Sequence, residues 1–147
     1  MNAERLLYLA DGLETVPSKR FKMHSWFVGK FCGKPKEPTH HSCKSSACAM
    51  GWGTTLPKFK KLGLKNIEGM PRIKNDRDCQ LSGFQAAEYI FEISALESRY
   101  LFEATFANQD RYRETPKQVA KRIRKFVKLR DLYIGRLYEL DKAEYKW

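Results

Sequence analysis

The apolar positions of the first sixteen residues, Leu6, Leu7, Leu9, Ala10, Leu13 and Val16, recur at helical spacing, with Glu4, Arg5, Asp11 and Glu14 between them. That pattern predicts an amphipathic helix over residues 2–15. Pro17 ends it, because the residue before a proline is driven out of helical backbone angles. From Arg20 to Val28 the alternation is imperfect and reads as a short strand or an extended arm laid on the core, with its aromatic side chains turned inward. Residues 29–46 hold Gly29, Gly33, Pro35 and Pro38 among lysines and histidines, which is loop chemistry. A short helix from Ala47 to about Trp52 follows, then a helical turn opening on Pro57 and closed by Gly63. Residues 64–81 show no clear period and are read as irregular.

The second half is more regular. Ser82 caps a helix with Phe84, Ala87, Tyr89, Ile90, Phe91 and Ile93 on its apolar face, and Ser94 with Glu97 forms the capping box of the next. Thr115-Pro116 opens a last helix, in which Val119, Ile123, Phe126, Val127, Ile134, Leu137 and Leu140 keep the helical period to about residue 145. A helix of that length outruns the rest of the domain. Its end either bends at Gly135 or pairs with a second copy, with Tyr133, Tyr138 and Trp147 as anchors. The expected fold is mainly α: one compact helical domain over 1–147 with a long basic loop at 29–46, a long helix at about 116–145 and room for a short strand pair.

Charge changes this picture more than composition does. The 147-residue chain carries a net charge of +11, which favours a polyanionic partner: nucleic acid, a nucleotide or an acidic protein surface. Residues 17–44 hold seven Lys or Arg against one Glu. No window approaches twenty apolar residues, and the N-terminus lacks the basic-then-apolar order of a secretion signal, so the chain reads as cytoplasmic with no membrane partner. Four cysteines, Cys32, Cys43, Cys48 and Cys79, then point to reduced thiols or a metal site before disulfides.

The densest chemistry lies in Ser42–Trp52. Its serines fall where a helix start leaves amides unpaired, so Lys44, Ser45 and Ser46 form a candidate anion turn, with Trp52 or Trp26 as a stacking surface and His41 beside it. Two other readings compete there. His40, His41, Cys43 and Cys48 are a weaker zinc-type set, and Cys43, near Lys44 and His41, is a candidate nucleophile without an evident orienting acid. Elsewhere, Thr115 to Arg130 holds seven Lys or Arg and no Asp or Glu, and Lys117, Lys121, Arg124 and Lys128 share one stripe that can track a phosphate backbone. No glycine fingerprint for dinucleotides or triphosphates is present, the acids are scattered, and no cofactor is expected.

Two segments carry a resemblance. Cys43-Lys44-Ser45-Ser46-Ala47-Cys48-Ala49-Met50-Gly51-Trp52 is similar to the Cys-Gly-Thr-x-Ala-Cys-x-x-Gly-Trp signature of a set of small bacterial and phage proteins. Phe21-Lys22-Met23-His24-Ser25-Trp26 matches the Phe-x-Met-x-x-Trp stretch that precedes it. Lys44 stands where the signature has glycine and Ser45 where it has threonine. The resemblance implies a phage-like origin, hence an infected bacterial host, and a compact helical domain; it brings no activity with it. Together these readings favour a non-catalytic binding protein, expected as a homodimer, that sequesters a phosphate-bearing nucleotide such as a host antiviral signal in counter-defence. The alternatives are nucleic-acid binding by the last helix and inhibition of a host enzyme through a protein–protein contact.

Overall fold

The computed structural model describes residues 1–26, 46–106 and 111–144, with side chains in the last helix as far as Arg130 and at Leu132. Helix α1 (Ala3–Leu13) starts at Asn2, whose side-chain oxygen accepts from the Arg5 amide at 3.1 Å. Its stripe of Leu6, Leu9, Ala10 and Leu13 is buried, as is the stripe of Val119, Ala120, Ile123 and Phe126 on α6 (Pro116–Glu144). These two helices form the most extensive helix pair of the fold. Arg124 also reaches across, to Asp11 at 2.8 Å and Glu14 at 2.6 Å. Each buried leucine contributes about 1.5–3 kcal/mol, whereas a partly exposed ion pair contributes about 0–1 kcal/mol. The apolar stripes therefore drive the pairing, and Arg124 fixes its register.

Between them lie α2 (Ala49–Gly53), α3 (Pro57–Lys61), α4 (Gly83–Phe91) and α5 (Ala95–Phe102). The stretch read from sequence as irregular is a small antiparallel sheet of β1 (Lys65–Ile67), β2 (Met70–Lys74) and β3 (Gln80–Ser82), in that order, so the fold is helical with a small sheet rather than purely α. Glu68 and Gly69, at φ 54° and 78°, make the two-residue turn between β1 and β2. Ile67 opposite Met70 closes that turn, so Asn66 opposite Pro71 is the pair without ladder hydrogen bonds, and the missing Pro71 N–H costs the β1 edge nothing. β3 begins its pairing one residue further on, at Arg72 opposite Ser82. The second turn is held by Asn75, whose side-chain oxygen accepts from the Arg77 and Cys79 amides at 3.0 and 2.9 Å.

Two of the three capping predictions in the second half hold, at Ser94 and at Thr115. Ser94 Oγ accepts from the Glu97 amide and Glu97 Oε2 accepts from the Ser94 amide. Thr115 and Gln118 make the same reciprocal pair ahead of Pro116. Glu97 does more than cap: its second oxygen accepts from Arg130 Nε at 2.7 Å, tying α5 to α6. Burial works against ionising this carboxyl, but Arg130 and the Ser94 amide and hydroxyl outweigh it and hold the group below the ordinary glutamate range.

Three expectations are corrected. Ser82 precedes α4 without capping it through its side chain. The break in α6 is at Leu129 (φ −122°, ψ 20°), not at Gly135, three residues beyond the buried Phe126. Residues 18–20 form a single 3-10 turn, and among the described residues of the expected arm or strand Phe21 alone makes a bridge, to Ala47.

Asn66 is 2% exposed, and neither its amide nor its carbonyl oxygen has a hydrogen-bond partner. Such groups cost stability relative to an apolar side chain, so Asn66→Val should raise the unfolding free energy by about 1 kcal/mol; a loss in urea titrations would reveal a polar partner. For Glu97, the lowered folded pKa means that its stabilisation is present above the unfolded pKa and is lost as pH falls through the folded one. Glu97→Gln should therefore be less stable at neutral pH, with the deficit shrinking below about pH 4 in the same assay.

Candidate functional site

The signature segment is packed before it is chemical. Helix α2 begins at Ala49, two residues later than the serines require, with Cys48 as its N-cap. Residues 20–25 lie alongside: Ala47 N–H donates to the Arg20 carbonyl at 3.1 Å, Cys48 N–H to the Ser25 carbonyl at 2.7 Å, and Lys22 N–H to the Ala47 carbonyl at 3.0 Å. Ser46 is 8% exposed and Ala47 through Gly51 are buried. Gly51 permits this approach, since a Cβ there would stand 1.9 Å from the Trp26 carbonyl oxygen and 2.6 Å from Ala47 Cβ.

This corrects the anion-turn expectation for every part of it that is described. Ser46 does not cap a helix, and the amides of Ala47 and Cys48 are already taken by the protein's own carbonyls. Lys44, Ser45 and His41 lie outside the described residues, as do His40, Cys32 and Cys43. The two indoles are not brought together either. Trp52 donates its Nε1–H to the Arg20 carbonyl at 3.2 Å and carries the Arg20 guanidinium 4.8 Å from its ring centroid, so its role is to pin residue 20. Trp26 stands edge-on to Phe84 at 5.0 Å and lines a different cavity.

Cys48 is 2% exposed. Burial pushes its thiol up to about 11, against the opposing pull of the Gly51 and Met50 amides, so it is protonated at neutral pH. A ready nucleophile is a thiolate, and Cys48 is instead a buried, protonated core side chain. Among the described residues no group of three or more His, Cys, Asp or Glu is arranged to hold a metal ion.

Among the described residues, two features that adjoin the signature segment or carry the basic stripe remain open to a partner. One is a cavity of about 220 Å³ walled by residues 23–26, Phe84, Phe102–Thr105, Tyr112 and Cys48. The other is the outer face of α6. Lys117, Lys121 and Lys128 are exposed there and make no ion pair among the described residues, with Lys125 exposed beside them. Arg124, the fourth member of the stripe read from sequence, is instead bound to Asp11 and Glu14. Arg122 and Arg130 are engaged as well, by Glu114 and the Leu101 carbonyl and by Glu97. Sequence reading did not single out His24 or Tyr112 for a site; for Tyr112, an aromatic side chain between Arg111 and Arg113 was the available signal. No helix among the described residues is long and apolar enough to cross a membrane. In comparison with known proteins, the chain matches no family model, no curated sequence and no solved structure.

Gly51→Ala tests the packing of the signature segment. Because the added carbon meets backbone rather than a movable side chain, the variant should lose roughly 3 kcal/mol or more, or fail to fold, in thermal unfolding. Near-wild-type stability would show that residues 20–26 are not seated as described.

Proposed function

We propose that this protein binds a nucleic-acid backbone through the lysine row of α6. The observation that carries the reading is the division of labour on one helix: the arginines of residues 115–130 turn to carboxylates and carbonyls of the fold, and Lys117, Lys121 and Lys128 are left in water. The three share one face over eleven residues, about 16 Å at 1.5 Å per residue, or roughly half a turn of duplex. No acid interrupts the row between Thr115 and Arg130, and the whole chain is strongly cationic. Lysine ammonium groups held apart in this way gain their affinity by releasing counterions from phosphates, a contact that is positional and indifferent to sequence. The amides of Ala47 and Cys48, which follow the nucleotide-sequestering turn, are occupied by the protein's own carbonyls and lend that reading no support.

The test is anisotropy of a labelled duplex at two salt concentrations. Three phosphate contacts give a slope near −2.7 in log–log form, so a fourfold rise in salt should weaken binding by roughly 40-fold. Lys117→Gln, Lys121→Gln and Lys128→Gln combined should remove that dependence, flattening the slope by about 2.7 without changing the melting temperature. Unchanged affinity and slope in the folded triple variant would overturn the proposal.

A further inference from the structure

The cavity beside Trp26 is a candidate site that the lysine row does not use. It is bounded by the Met23–Trp26 segment, the first turn of α4 at Phe84, the end of α5 with Glu103–Thr105, and Tyr112. At about 220 Å³ it far exceeds the roughly 10–15 Å³ that one water needs, yet falls below the roughly 300 Å³ at which pockets for drug-sized ligands begin. That leaves room for one small ring system. Five of its wall residues are aromatic: Trp26, Phe84, Phe102, Tyr112 and His24, the last two with ring centroids 5.2 Å apart. Ser25, Thr105 and Glu103 add hydrogen-bonding groups to the same walls.

The charge on these walls narrows the class. Among the described residues no lysine or arginine lines the cavity, and a carboxylate does, so these walls disfavour a phosphate group. A cation is not favoured either, because Arg99 already neutralises Glu103 at 2.8 Å. A neutral ligand with flat π faces and a polar edge satisfies both constraints, and nucleobases have that combination. We infer that the Trp26 cavity is a receptor for a single neutral, planar heterocycle of nucleobase size, held between aromatic walls and oriented by the polar groups on them. The inference is independent of backbone binding by α6.

The experiment is a titration of the isotope-labelled full chain with adenosine, guanosine, cytidine and uridine at millimolar concentrations, read at the indole N–H signals. Trp26 should shift saturably with at least one nucleoside, while Trp52, in its own cavity against Arg20, stays still. Thr105→Tyr, at an exposed position on the rim, should abolish the saturable shift. The combined Lys117, Lys121 and Lys128 variant should keep it, which separates failure of this inference from failure of the backbone contact. The inference is overturned by a linear or absent Trp26 response to all four nucleosides, by an undiminished response in Thr105→Tyr, or by a saturable response to tetramethylammonium in place of the nucleosides.

Discussion

The carbonyl of Trp26 and the backbone of Gly51 come closer than any side chain between them would allow, and much of the molecule's arrangement follows from that approach. It seats residues 20–26 on the start of α2, which consumes the amides of Ala47 and Cys48 and buries Ser46. It fixes the Trp26 ring against Phe84 and so shapes one side of the aromatic cavity. On the other side of the same segment, Arg20 and Trp52 hold each other through a hydrogen bond and a cation–π contact. One missing methyl group thereby sets the positions of both indoles and keeps them apart.

A second regularity concerns the cations. Guanidinium groups serve the interior and its borders: Arg5 donates to the Ile90 carbonyl, Arg111 to the Tyr100 carbonyl, Arg122 to the Leu101 carbonyl and Glu114, and Arg124 and Arg130 to carboxylates on other helices. A planar fork of donors can satisfy two acceptors in fixed geometry, which an ammonium group on a flexible stem does poorly. On α6 the lysines consequently remain at the surface, where their charge acts outward. Among the described residues of α6 the positive charge is thus two populations, one structural and one accessible.

Local signals were legible and long-range ones were not. The stripe of α1, the Ser94–Glu97 box, the Thr115 cap and Pro116 at a helix start are each encoded within a few residues, and each stands in the structure as read. The sheet escaped because its strands run three to five residues, one holds Pro71, and the Glu68-Gly69 turn lacks the Asn-Gly signal that marks most tight hairpins. The serines before α2 look like caps in isolation; what occupies the neighbouring amides comes from residues 20 and 25, at a sequence distance that no local pattern reports. The same holds on α6, where Lys121 and Arg124 share a stripe yet differ in availability because α1 carries Asp11 and Glu14. His24 and Tyr112, eighty-eight residues apart in the chain, meet only once the fold is formed.

Glu97 joins two of these themes. One of its oxygens closes the first turn of α5 and the other holds Arg130, just beyond the point where α6 leaves its regular path at Leu129. Fraying of α5 at Ser94 and release of α6 past its break are consequently coupled, because each frees one oxygen of the side chain that the other contact needs held in place. A disturbance at Arg130 therefore has a direct path, one carboxylate long, to the beginning of α5.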